Sequence, residues 1–231
     1  MFTNTVVITG TAGNLGSAVT KEFLNKGYRV VAAAINETEK NAIPANENLE
    51  VHIVDVTNET EAADFVKSII NKHSHIHAAL MLVGGFATGN IVTTTSSDIE
   101  EQFKLNFETA YNISRPLLPH MLQNNNGRLV FIGARPALRA TDGKNMVAYA
   151  LSKSLLFKLA EFINEEAKGK NVTATVVVPS TLDTPLNRKS MPDVDPGIWV
   201  APQQLAEVLE FICSEKATAI REPIFKVYNN A

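Results

Sequence analysis

Tyr149 and Lys153 stand four residues apart, in the run Tyr149-Ala150-Leu151-Ser152-Lys153. On a helix this spacing puts both side chains on one face, pointing the same way. A phenol titrates at about pH 10, too high for ready exchange at neutral pH, and a neighbouring ammonium favours its ionised form. Such a pair can hand a proton to an acceptor; the plainer alternative is a solvated pair on a helix surface. A second constellation points to phosphate. In Thr9-Gly10-Thr11-Ala12-Gly13-Asn14-Leu15-Gly16 an apolar strand runs into a glycine-rich turn and then a helix. Gly10, Gly13 and Gly16 let the backbone turn tightly and approach a pyrophosphate, and Asn14 and Leu15 lead into a helix whose first N–H groups are free. The plain alternative is a strand-to-helix turn that merely needs glycine.

Both constellations require elements that hold them. Apolar, β-branched runs recur at Thr5 to Thr9, Arg29 to Ala34, Leu49 to Ile53, Ala78 to Val83, Arg128 to Ile132, Val172 to Val178 and Ile224 to Tyr228. Their continuous apolarity predicts strands covered on both faces, hence a parallel sheet between helices. Helical periodicity is clearest at Leu15 to Lys26, Glu59 to Asn71, Ser97 to Gln123, Val147 to Ala167 and Gln203 to Cys213. Pro116 and Pro119 predict a disturbance at the end of the third of these. The stretch 179–202 carries five prolines without helical or strand periodicity. It reads as a long loop over the carboxyl ends of the strands, and loops of that length are usually functional. The fold expected is α/β, a single doubly wound parallel sheet in the order 3-2-1-4-5-6-7, within one domain spanning 1–231.

Bulk properties bound the function. The chain has 231 residues, of which 45% are hydrophobic, enough for a sizeable core. A net charge of -3 and the lack of any basic run argue against nucleic acid or anionic membrane as partner. The single cysteine, Cys213, excludes an internal disulfide, and the start Met1-Phe2-Thr3-Asn4 lacks the pattern of a signal peptide. A cytoplasmic protein acting on a small-molecule substrate is expected. Position 34, at the end of the second strand, is where an Asp or Glu would accept from the adenosine ribose, but it is Ala34. No arginine in the turn or after that strand serves a 2′-phosphate. Asn36, Thr38 and Lys40 are nearby candidates, and the choice between NAD and NADP stays open.

Taken in order, these residues resemble the short-chain dehydrogenase/reductase family over essentially the whole chain. Thr9, Gly10 and Gly16 fit its glycine motif, with Asn14 in place of a usual small residue and Gly13 offset. Asp55-Val56 follows the third strand, Val83-Gly84-Gly85 looks like a variant of the family's Asn-Asn-Ala-Gly stretch, and Asn106 falls at its helix asparagine. Tyr149 and Lys153 fit its Tyr-x3-Lys signature. The resemblance implies a Rossmann-type fold, NAD or NADP as cofactor, and a homodimer or homotetramer built through the helices containing Ser97 to Gln123 and Val147 to Ala167. It implies catalytic roles for Tyr149, Lys153 and Asn106: the tyrosine as proton donor, the lysine on the nicotinamide ribose, and the asparagine holding a water that links the lysine to solvent. Cofactor contacts are further implied for Asp55, Val56, Gly84, Gly85, Pro179, Thr181 and Thr184, with Asn36 added from its place after the second strand.

One departure is informative. The family's substrate-polarising serine belongs just after the fifth strand, where this chain reads Phe131-Ile132-Gly133-Ala134-Arg135. Losing such a donor costs about 10² to 10³ in rate when a carbonyl must be polarised. The same lack marks the dihydropteridine reductases, whose quinonoid substrate is already electron-poor. Gly84-Gly85-Phe86-Ala87-Thr88-Gly89 and the twelve residues from Thr181 to Pro192 also resemble stretches of that branch. Asn106 and Ala34 depart from it, since the animal enzyme has no asparagine at the first and an aspartate at the second. On this reading Phe86, Ala134, Leu186 and Met191 line the acceptor, with Trp199 a further candidate for its apolar wall, although apolar residues of this kind equally pack a loop down. The rival reading is an NAD(P)-binding sensor that has lost turnover. His73, His75 and His77 alternate, which turns the middle ring away from its neighbours on an extended segment, and no metal is expected. Arg135 and Arg139 read either as contacts to an anionic substrate or as solvated loop charges.

Overall fold

A computed structural model describes residues 4–221 and 224–230. In chain order the elements are β1 (Thr5–Thr9), α1 (Asn14–Asn25), β2 (Arg29–Ala34), α2 (Glu37–Ala42), β3 (Leu49–Ile53) and α3 (Glu59–His73). The chain continues through β4 (Ala78–Met81), α4 (Ser96–Phe103), α5 (Thr109–Gln123), β5 (Gly127–Ile132), α6 (Ala140–Gly143) and α7 (Val147–Glu166). It closes with β6 (Val172–Pro179), α8 (Pro185–Ser190), α9 (Pro202–Cys213) and β7 (Ile224–Val227). The strands form one parallel sheet, as the apolar runs predicted, in the order β3-β2-β1-β4-β5-β6-β7 expected of a doubly wound fold.

The apolar strands read as they do because successive residues serve opposite faces. Val6 and Ile8 pack with Val19, Phe23 and Leu205 beneath α1 and α9. Val7 faces the other layer, where Phe65, Ile113 and Leu156 come from α3, α5 and α7. Each such side chain, once fully buried, contributes about 1.5–3 kcal/mol. Reversing of the chain at β1 puts its crossover to β2 on one side and that from β3 to β4 on the other. A crevice therefore opens at the carboxyl end of β1, next to β4.

Four details differ from the sequence reading. β4 stops at Met81 rather than Val83, and the next residues leave the sheet to line the crevice. The interruption predicted at Pro116 and Pro119 falls elsewhere: both prolines lie inside α5, and the break is a π turn at Lys104–Glu108. Stretch 179–202 is not an irregular loop throughout, because it holds α8 and a 3-10 turn at Pro196–Ile198. α2 went unpredicted; it is short, and Asn36 caps it by accepting from the Glu39 N–H at 2.9 Å.

The strap 179–202 is closed on itself and tied to the chain's end. Val200 N–H donates to the Thr181 carbonyl and Asp183 N–H to the Val200 carbonyl, both at 2.9 Å. Asn229 donates to the Trp199 carbonyl and Ser180 to that of Tyr228, both at 2.8 Å. Trp199 is 4% exposed, so this side of the strap packs as core.

Candidate active site

The turn between β1 and α1 has no room for a side chain at Gly10 or Gly16. Gly10 has φ +69°, and a Cβ on Gly16 would lie 2.0 Å from the Gly10 carbonyl oxygen. Gly13 N–H closes the turn on the Gly10 carbonyl at 3.2 Å, and the α1 ladder begins with Ser17 N–H on the Gly13 carbonyl. The N–H groups of Asn14, Leu15 and Gly16 thus stand in the first turn of a twelve-residue helix, the arrangement that attracts an anion. Thr9 accepts from Leu82 N–H through its hydroxyl at 3.2 Å, which joins the turn to the chain leaving β4.

Next to it lies a cleft of about 300 Å³, walled by Gly10, Gly13, Glu39, Asp55, Val56 and Gly84 among others. Asp55 is held by accepting from Thr57 N–H at 2.9 Å, and the Val56 carbonyl by Asn112 at 3.1 Å. A larger hollow of about 400 Å³ lies along the outer side of α1, by Thr20, Lys21 and Pro44. The smaller cleft is the one that matters for chemistry, because it runs from the glycine turn to Gly84.

The Asn106 and Lys153 side chains meet at Gly84. A Cβ there would lie 2.7 Å from Asn106 Oδ1 and 3.1 Å from Lys153 Nζ. Asn106 sits in the π turn, where the extra residue re-aims the helix, a distortion frequent at functional sites. It is 1% exposed; its Oδ1 accepts from Gly85 N–H at 3.0 Å, and its Nδ2 donates to Gln102 at 3.0 Å and Ser152 at 3.2 Å. Lys153, 5% exposed, donates to the Ile132 carbonyl at 2.9 Å, so the end of β5 fixes its head. Burial pushes its ammonium down to about 8. Burial also pushes the Tyr149 phenol up to about 12, so the phenol keeps its proton throughout the neutral range.

Phe86 reaches the tyrosine: the two rings meet edge-on with centroids 5.2 Å apart. The contact is set by backbone, since Val147 N–H donates to the Gly89 carbonyl at 2.9 Å and Gly89 N–H to that of Asn145 at 2.8 Å. Ala134, 6% exposed, follows the Lys153-bound end of β5. A hydroxyl one residue earlier is barred, because a Cβ on Gly133 would lie 2.7 Å from Val176 Cγ1. Ser152 is turned away, donating to the Tyr149 carbonyl at 2.9 Å.

Other residues singled out from the sequence lie further apart or are occupied. Pro179 ends β6 beside Val227, the Thr181 carbonyl ties the strap, and the Thr184 hydroxyl caps α8 by accepting from Asn187 N–H at 3.2 Å. Leu186 is exposed on α8 and Met191 ends that helix half-buried. Asn36 caps α2, and the residue of that stretch that walls the cleft is Glu39. Arg135 lies over the Tyr228 ring at 5.2 Å. The three histidines part ways: His73 meets Glu50, His75 faces His120, and His77 bonds the Cys213 carbonyl. Sequence reasoning missed Glu39, Gln102, Asn112 and Ser152; only for Glu39 was a signal available, the Asn-x-x-Glu capping pattern of Asn36 and Glu39.

A sequence model of the short chain dehydrogenase family matches residues 4–195. The chain belongs to that family. It is an oxidoreductase dependent on NAD or NADP. It is 21% identical to the 3-oxoacyl-(acyl-carrier-protein) reductase FabG of Thermotoga maritima, over 93% of this chain and 92% of that one. It is 24% identical to the uncharacterized oxidoreductase YmfI of Bacillus subtilis, over 96% of each. Among solved structures, ElxO with NADP bound superposes with a TM-score of 0.91 at 20% identity, over 97% of both chains. The residues here fit such a dinucleotide: Gly10, Gly13 and Gly84 line the cleft of about 300 Å³ with bare backbone, beside the free N–H groups that open α1. Among the described residues no helix is long and apolar enough to cross a membrane.

Proposed function

We propose that this oxidoreductase reduces an electron-poor conjugated acceptor, a quinonoid dihydropterin or a compound of that kind, with Tyr149 as proton donor. The bound dinucleotide supplies the hydride. Tyr149 delivers its phenolic proton to the acceptor atom that gains electron density, and a proton from solvent restores the phenol. Lys153, still largely protonated at neutral pH, stabilises the transient phenolate. Asn106 positions Gly85, and through it the Phe86 segment, by accepting from the Gly85 N–H. A water between this asparagine and the lysine would complete the proton route.

One observation carries the reading: Ala134 stands where the family places its polarising hydroxyl, with Gly133 sterically closed to a replacement and Ser152 committed to Tyr149 and Asn106. An acceptor that needs no such donor suits this site. Phe86, 62% exposed and edge-on to the Tyr149 ring, offers a flat ring system an apolar face. A carbonyl acceptor is the second reading, favoured by the likeness to enzymes named 3-oxoacyl-(acyl-carrier-protein) reductase.

The test is oxidation of NADH and NADPH with a panel of quinonoid dihydropterin, simple ketones and quinones. Turnover on the pterin is expected, and Tyr149→Phe lowers it about 10²- to 10⁴-fold, the usual worth of a positioned proton donor. Good turnover on ketones with none on the pterin refutes the proposal.

The proposal extends to assembly and location. The whole chain acts as one dinucleotide-binding domain in the cytoplasm, paired into a homodimer or homotetramer. Exposed Ile99, Tyr111, Leu151, Leu155 and Phe162 on α4, α5 and α7 support the pairing, and sedimentation showing only monomer refutes it.

A further inference from the structure

The end of β2 gives the cofactor site neither of its usual discriminating groups, because Ala34 is buried at 1% exposure and no arginine follows it. The chain then turns into α2, and Glu39 folds back over the place left vacant. Its Oε2 accepts from the Ile35 N–H at 3.1 Å while its own N–H donates to Asn36 Oδ1 at 2.9 Å. The first bond holds the carboxylate and the second its backbone, in the wall of the cleft that Gly13, Ile35 and Asp55 also line. Oε1 takes no hydrogen bond among the described residues. The described residues lining this cleft include two carboxylates and neither lysine nor arginine. Lys40, next in sequence, pairs with Glu37 at 3.6 Å, and Lys21 lines the separate hollow along α1.

We infer that Glu39 selects the cofactor, its carboxylate accepting from the adenosine ribose hydroxyls of NAD(H) and repelling the 2′-phosphate of NADP(H). The ribose offers two O–H donors, and a carboxylate held by one backbone bond keeps acceptor capacity for them. A 2′-phosphate instead brings about 1.5 to 2 negative charges into a cleft with no cation. The inference rests on the cleft being the dinucleotide site and does not depend on the acceptor.

Isothermal titration of the purified full-length chain with NAD+ and, separately, NADP+ tests it without any turnover. Wild type is expected to bind NAD+ about 10- to 100-fold more tightly, the worth of a hydrogen bond to a charged group. Glu39→Gln retains an acceptor for the Ile35 N–H, so α2 is preserved, as circular dichroism checks. It is expected to bring the two affinities within about threefold, chiefly by strengthening NADP+. Equal affinities in wild type, or a preference unchanged in Glu39→Gln, overturn the inference. Tighter NADP+ binding that weakens in Lys21→Ala also overturns it, by moving recognition to the hollow along α1. Binding of neither nucleotide refutes the cleft as the cofactor site, and the role of Glu39 with it.

Discussion

The glycine turn and the 179–202 strap each follow the carboxyl end of a strand, β1 and β6, and are built on opposite principles. In the turn, position is fixed by what is absent: a Cβ on Gly16 meets the Gly10 carbonyl at 2.0 Å, and one on Gly10 meets the Leu82 backbone at 3.0 Å. In the strap, position is fixed by added bonds at its two ends, while the middle carries Leu186 at 68% exposure and an exposed fork between Arg188 and Asp183 at 2.6 and 2.7 Å. The lesson is that the turn tolerates almost no variation, whereas the strap can change its surface without disturbing the fold. That division suits an enzyme whose cofactor is common to a family and whose acceptor is particular to it.

The sharpest way to break the comparison is Gly16→Ala. No side chain yields there, since the clash is with backbone, so overpacking is expected to cost about 3 kcal/mol and nucleotide affinity to fall at least about a hundredfold. Denaturant unfolding with titration of the nucleotide checks both, and a variant with wild-type stability contradicts the account of the turn.

A comparable energy sits at Lys153, where turn and acceptor sides meet. Its ammonium is pushed from 10.5 to about 8 by burial. The folded value lies below the unfolded one, so the unfolded chain holds more protons between them. Below pH 8 this group therefore destabilises the fold, by about 3 kcal/mol, and the penalty fades as pH rises toward 10.5. Lys153→Met is expected to be inactive yet relatively more stable at pH 7 than at pH 10, in paired denaturation curves against wild type. A stability difference independent of pH contradicts the burial.

The smallest effects belong to the acceptor rim. Phe86→Ala and Leu186→Ser are expected to move stability by no more than about 0.5 kcal/mol, because both side chains are largely exposed. Phe86→Ala should raise KM for the acceptor about tenfold, the worth of one lost apolar contact, with nucleotide affinity unchanged. A loss of nucleotide affinity in either variant would erase the division between the two regions.

The same division governs what could be read from the sequence. The seven strands, the glycine turn and the Tyr149 to Lys153 spacing were legible because they rest on local pattern: continuous apolarity, a strand-turn-helix context, and helical periodicity, while the strand order followed from the doubly wound arrangement expected of them. The π turn at Lys104–Glu108 was not, since it accompanies the burial of Asn106 against Gly85 and Ser152, contacts that join residues far apart in the chain. Pro116 and Pro119 misled for a related reason: α5 accommodates them within its length, while the irregularity follows the site. The strap concealed α8 because six residues are too few to display a period, and its order comes from ties to Trp199, Tyr228 and Asn229. Ala134 was legible as a missing hydroxyl, but that neither Gly133 nor Ser152 replaces it required coordinates.

The most direct measurement is to restore the missing hydroxyl. Ala134→Ser is assayed beside wild type with quinonoid dihydropterin and with a simple ketone, at saturating dinucleotide. The account predicts that ketone turnover rises about 10²- to 10³-fold while pterin turnover changes less than about threefold, because only the ketone needs polarising. A wild-type enzyme that already reduces ketones efficiently, or a serine variant that raises both substrates equally, would contradict it.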